Sequence, residues 1–220
     1  MREMKPIDRY DTTSLPEAQF EPGSNDLVLR NKLGITSVDN MDKLEKEEQL
    51  RAIDALTNLF DSNHQFTAAD ISTMHKIWLG NVYDWAGKYR QVKMHKEDFT
   101  FAYPEHISKL MDEFEKRQLQ KFTPCHFELH SDIAKALAVV HTELVIIHPF
   151  REGNGRVSRM LAILMGLQAG LPPLDFQDMI TKAKEEYIRA IQTGFSRNYA
   201  PMEKMFGDVI RKTMRARVLK

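Results

Sequence analysis

The sequence has one cysteine, no long apolar run, no excess of either charge and little of the alternation that marks strands. Each scarcity closes off a class of protein. The single thiol, Cys125, has no internal disulfide partner, which suits a reducing compartment. No apolar stretch reaches the ~18 residues of a membrane span, so no membrane association is expected. Met1 to Tyr10 is polar and lacks the apolar core of a secretion signal, so a cytoplasmic location is expected. Lysine plus arginine total 31, as do aspartate plus glutamate. No global field therefore draws the chain to nucleic acid or acidic lipid, and no direct nucleic-acid binding is expected.

What is present is a hydrophobic share of 42% in 220 residues, enough for one domain with a substantial core. The first 25 residues carry Asp, Ser, Pro and Gly with little periodicity and read as a mobile or clamped-on N-terminal tail. Residues 26–220 read as one catalytic domain that is mainly α. A short helix is expected over Leu27–Leu33, stopped by Gly34, and a longer one over Met41–Phe60. The charged Lys43–Glu48 stretch of the longer helix reads as its solvated face. Thr67 is a candidate N-cap for a helix to Leu79.

Tyr83–Pro104 changes character: Phe99-Thr100-Phe101-Ala102-Tyr103 has a period of two, so one small β-hairpin is expected there. Helices follow from Pro104 to about Gln120, from Pro124 to Ile147, and over Arg156–Leu167 with Gly170 as the stop. Two more are expected over Gln177–Gly194 and Tyr199–Arg215. His126 and His130 are four apart, but no third ligand accompanies them.

The densest chemistry lies at His148–Arg159, His-Pro-Phe-Arg-Glu-Gly-Asn-Gly-Arg-Val-Ser-Arg, between two apolar runs. Gly153, Asn154 and Gly155 precede a helical pattern, and helix N-termini present unpaired N–H groups that suit phosphate. Arg156 and Arg159 can add planar guanidinium forks, and Glu152 can hold Mg²⁺, which otherwise takes waters and phosphate oxygens. His148 suits proton transfer near neutrality. Together these groups point to phosphoryl or nucleotidyl transfer.

The loop resembles the signature of Fic-domain proteins, His-Pro-Phe-x-(Asp/Glu)-Gly-Asn-Gly-Arg-x-x-Arg, at every specified position. The resemblance extends to Trp85-Ala86-Gly87-Lys88-Tyr89-Arg90 and to Ala169-Gly170-Leu171-Pro172-Pro173. It implies a Fic-type helical bundle with one hairpin flap, and a protein adenylyltransferase that moves AMP from ATP to a Ser, Thr or Tyr hydroxyl of a target protein. The roles it implies are His148 as general base, Phe150 as the loop's anchor and Glu152 as the Mg²⁺ carboxylate. Gly153, Asn154 and Gly155 would cradle phosphates, Arg156 would face the leaving pyrophosphate and Arg159 the γ-phosphate. Tyr187 would pack near the adenine, and the flap residues Phe99, Thr100, Phe101 and Ala102 would align an extended segment of the target. Glycine at 155, where a phosphate-transferring branch has lysine, favours AMP. Transfer of another nucleotide or phosphate moiety, or a non-enzymatic nucleotide-binding module, are the alternatives.

The family's inhibitory pattern, (Ser/Thr)-x-x-x-Glu-(Gly/Asn), does not occur in these 220 residues; Thr181 has Glu185 four residues on, but Glu186 follows. Inhibition by a separate small antitoxin-like protein is therefore expected. The segment Val28–Ile35 is similar to the toxin branch, whose members modify type II topoisomerase subunits.

Overall fold

Apolar residues at helical spacing need a common surface to bury themselves on, and in this chain that surface is one central helix. The computed structural model describes residues 14–96 and 99–218. Its α-helices are α1 (Val38–Leu59), α2 (Ala68–Leu79), α3 (Pro104–Phe114), α4 (Gln120–Phe122), α5 (His130–Ile147), α6 (Asn154–Gln168), α7 (Gln177–Ile180), α8 (Lys184–Gly194) and α9 (Ala200–Val218). α5 is buried along most of its length and packs against α3, α6, α8 and α9, while α2 bridges α1 to α6. Fully buried Leu137, Phe150, Leu161 and Phe206 belong to this core, each stabilising the fold by roughly 1.5–3 kcal/mol. Among the described residues no helix is long and apolar enough to cross a membrane.

Local chemistry sets the boundaries. Ser37 caps α1, and Thr67 caps α2 in a reciprocal box with Asp70. Glu115 also reaches the N-terminus of α2, where its carboxylate accepts from Ala68 N–H at 2.7 Å, a favourable position for an anion. Glu115 opens a π-helical turn, Glu115–Leu119, that joins α3 to α4. Gly170 ends α6 at φ +75°, with its N–H bonded to the Leu167 carbonyl.

Several expected boundaries change. The segment 27–33 is not helical. Leu27 and Leu33 are exposed while Val28 is buried, so these residues share no single face. Asn31 instead organises a loop, its Oδ1 accepting from Leu33 and Ile35 N–H and its Nδ2 donating to the Leu29 and Ile35 carbonyls. The helix expected from Pro124 begins at His130, after a loop that opens with the Thr123–Pro124 peptide. His126 lies in that loop with Nε2 against the Ser62 carbonyl, and no metal-binding cluster occurs among the described residues. The helix expected over 177–194 is broken into α7 and α8 by turns at 181–183.

Among the described residues of the 83–104 stretch, β1 (His95–Lys96) and β2 (Phe99–Thr100) pair, antiparallel, with His95 opposite Thr100. Residues 97–98 and the side chain of Phe99 lie outside the described residues. The same holds for residues 1–13 of the expected tail, but residues 14–25 are clamped onto the domain. Buried Glu17 accepts from the N–H groups of Gln91 and Val92, and its carbonyl accepts from Arg151 Nε at 2.9 Å.

Candidate active site

α5 ends on His148, which sits in the left-handed region at φ 54°. That conformation is uncommon for a residue with a Cβ, and it turns the chain sharply out of the helix. His148 N–H still bonds to the Leu144 carbonyl, and ring Nδ1 lies 3.1 Å from the Val145 carbonyl. A carbonyl only accepts, so Nδ1 carries the proton and the lone pair of the neutral ring is on Nε2. Phe101 stacks on the imidazole with centroids 3.8 Å apart.

Arg90 holds this corner together. It is 1% exposed, and its guanidinium donates to three carbonyls: Nε to His148, Nη1 to Val92 and Nη2 to Ala102, each at 2.7 Å. One side chain thus ties His148 to both sides of the β1–β2 ribbon. Arg90→Lys is expected to cut transfer at least tenfold, because an ammonium cannot serve three carbonyls in that planar fork. Steady-state transfer rates with thermal unfolding as control would check it; wild-type activity in a folded variant would contradict it.

The loop after His148 is built from inside. Phe150 is fully buried and stacks on His75, with centroids 4.0 Å apart. The Asn154 side chain clasps the Phe150 backbone, Oδ1 accepting from its N–H and Nδ2 donating to its carbonyl, both at 2.8 Å. That side chain is therefore committed to the loop's shape, and what position 154 can offer a phosphate is its backbone N–H. Gly153 takes φ +80°, and a Cβ there would meet Trp78 ring carbon at 2.5 Å. Asn154 and Gly155 open α6, so their N–H groups have no intrahelical acceptor and suit an anion.

His75, which sequence reasoning passed over, supports the loop from below. Its Nδ1 accepts from Gly87 N–H and its Nε2 lies 3.1 Å from the Glu152 carbonyl. Burial lowers its pKa to about 4. Burial and the Arg159 charge lower that of His141 to about 3. Both imidazoles are neutral when folded but bind a proton on unfolding below the ordinary value of ~6.5. Their contribution is complete above pH ~6.5 and lost as pH falls toward 4 and 3. We expect the urea midpoint to drop over that window, each group removing ~1.4 kcal/mol per pH unit. A flat midpoint from pH 6.5 to 4.5 would contradict this.

A cavity of about 240 Å³ is lined by Phe101, His148, Gly155, Arg159 and Tyr187. Arg159 is bonded to the Tyr187 phenol, and that oxygen lies 2.9 Å from His141 Nε2. Since a guanidinium only donates, the phenol accepts from Arg159 and its O–H donates a hydrogen bond to His141 Nε2. Tyr187 thus acts on Arg159 as well as forming cavity wall. Glu152 and Arg156 line a separate cleft, against Glu45 of α1. Thr100 and Ala102 face a third cavity, of about 420 Å³, between β2 and α3.

Glu152 Oε1 accepts from Gly153 N–H at 2.7 Å and from Arg156 Nη2 at 3.2 Å. One half-exposed carboxylate is a sparse donor set, which suits Mg²⁺ arriving with a nucleotide and keeping its waters and phosphate oxygens.

Comparison with known proteins gives one family. The Fic/DOC family model matches residues 65–165. A probable protein adenylyltransferase of Sinorhizobium fredii is 29% identical over 82% of this chain and 89% of its own length. A protein adenylyltransferase Fic of Nematostella vectensis is 32% identical over 66% of this chain, which spans only 33% of that longer relative. Among solved structures, the BepC protein of Bartonella tribocorum with bound AMPPNP superposes with a TM-score of 0.70 at 25% identity, over 89% of this chain and 97% of that one.

Proposed function

We propose a mechanism for a chain that carries a Fic domain and is a nucleotidyltransferase: Mg²⁺-dependent transfer of AMP from ATP to a hydroxyl side chain of a target protein. The observation that carries it is the juxtaposition of a fixed, Nε2-basic His148 with the N-terminus of α6 and Arg159 around one cavity.

In this reading the triphosphate lies over the N–H groups of Asn154 and Gly155. His148 Nε2 takes the proton of the target's hydroxyl as its oxygen attacks the α-phosphorus. The bond to the β-phosphate oxygen breaks, and pyrophosphate leaves. The Arg159 guanidinium, aimed into the cavity by Tyr187, balances charge on the γ-phosphate. Glu152 would hold Mg²⁺, which would supply charge neutralisation for the departing pyrophosphate. An extended segment of the target adds to the flap Phe99–Ala102 as a further strand in this reading, which fixes register without reading its sequence. Thr100 and Ala102 then face the opposite side from the base.

Control by a separate small antitoxin-like protein belongs to the same reading. It is supported by the lack of the inhibitory pattern in these 220 residues and by Arg159 pairing with a phenol. Action in the cytoplasm, with a topoisomerase subunit as target, completes it. The test is mass spectrometry of a target modified in the presence of ATP and Mg²⁺. An adduct of one AMP on a hydroxyl residue, with pyrophosphate as co-product, supports the proposal; a phosphate adduct or a different nucleotide overturns it.

A further inference from the structure

Arg156 is the best-partnered cation of the loop, and its partners come from an element outside the motif. Its Nη1 lies 2.6 Å from Glu45 Oε2 and its Nη2 lies 3.2 Å from Glu152 Oε1. The guanidinium also sits over the Trp78 ring, 4.6 Å from its centroid. Glu45 comes from the middle of α1, and its side chain is 4% exposed. Its other oxygen accepts from Tyr83 OH at 2.8 Å, and its backbone carbonyl accepts from Trp78 Nε1 at 2.8 Å. Trp78 is the ring on which Gly153 rests. A buried carboxylate with this many fixed partners does not reorient freely.

Resting on the nucleotidyl-transfer reading above, we propose that Glu45 is a positioning residue: it draws Arg156 toward α1 so that Glu152 keeps a carboxylate oxygen for Mg²⁺. One guanidinium serves two carboxylates, which leaves the cluster with one net negative charge. Without the charge of Glu45, Arg156 would swing fully onto Glu152 and become a bidentate partner, a geometry guanidinium and carboxylate favour. The cation would then compete with Mg²⁺ for the same two oxygens. Arg156 in this arrangement acts on the phosphates through Glu152, not as a ligand of the leaving pyrophosphate.

The experiment is calorimetric titration of ATP into the full chain, once with MgCl₂ and once with EDTA. Wild type, Glu45→Gln and Tyr83→Phe are compared. Glu45→Gln keeps the size and one hydrogen-bond acceptor but removes the charge. Its Kd for ATP with Mg²⁺ is expected to weaken about tenfold, as for other supports of a metal ligand, and its half-saturating Mg²⁺ concentration to rise alike. With EDTA the change is expected to stay within about twofold. Tyr83→Phe removes one anchor of Glu45 and shifts the Mg²⁺ titration in the same direction by less, and it carries the test if Glu45→Gln does not fold. Equal losses with and without Mg²⁺, or an unchanged Mg²⁺ titration, would overturn the inference. A wild-type protein whose ATP binding ignores Mg²⁺ would overturn the metal role of Glu152 and the inference together.

Discussion

Replacing His148 by alanine is expected to lower AMP transfer by about a thousandfold while leaving the Kd for ATP within about twofold. A base acts on the hydroxyl proton in the transition state, so its removal lowers kcat and spares ground-state binding of the nucleotide. The variant should fold. The contacts that build this corner use the His148 backbone: its carbonyl accepts from Arg90 Nε, and its N–H bonds to Leu144. Alanine bears the same left-handed penalty that histidine already carries, about 1–2 kcal/mol. The Phe101 stack and the Val145 bond of the ring lie at the cavity wall. Transfer at the wild-type rate would remove His148 from the base role, and a lost ATP affinity would mean that it binds nucleotide instead.

Gly153→Ala is expected to cost about 3 kcal/mol of stability and most ATP binding, whereas Gly155→Ala, two residues on, should cost under about 1 kcal/mol. At 153 two penalties add. The backbone is left-handed at φ +80°, and the new methyl would meet Trp78 ring atoms at 2.5 and 2.8 Å. That ring cannot step aside, because it is fully buried and its Nε1 is bonded to the Glu45 carbonyl. Relief must come from moving Gly153, which shifts the first N–H groups of α6. At 155 the nearest atoms are Arg159 Nη1 at 3.4 Å and Tyr187 OH at 4.0 Å, the ends of side chains facing a cavity. Equal unfolding midpoints in urea for the two variants would contradict the packing argument.

The loop was legible in the sequence because its chemistry is contiguous: twelve consecutive residues carry His148, Glu152, Gly153, Gly155, Arg156 and Arg159. The helix α2 was legible because its cap is written in Thr67 and Asp70, three apart. Glu45 was not. It lies in a run of charges, Lys43 to Glu48, that reads as a solvated face, yet one turn of α1 points its carboxylate into the core against Arg156, 111 positions later. Only tertiary packing decides which member of such a run is buried. His75 was hidden for a similar reason, a lone imidazole in an apolar helix whose partners, Gly87 and Glu152, lie in other segments. Arg90 carried a signal, since it ends a stretch shared with Fic proteins, but nothing local says that it will meet three carbonyls. The apolar residues at 27–33 misled because composition suggested a face where Asn31 imposes a loop.

The most direct test of AMP transfer by His148 is labelling of a host lysate with ATP radioactive at the α-phosphate, beside a γ-labelled reaction. Wild type and His148→Ala are run together. We expect an α-labelled protein band that vanishes in the variant and has no γ-labelled counterpart. A γ-labelled band, or an α-labelled band that persists without the imidazole, would contradict it.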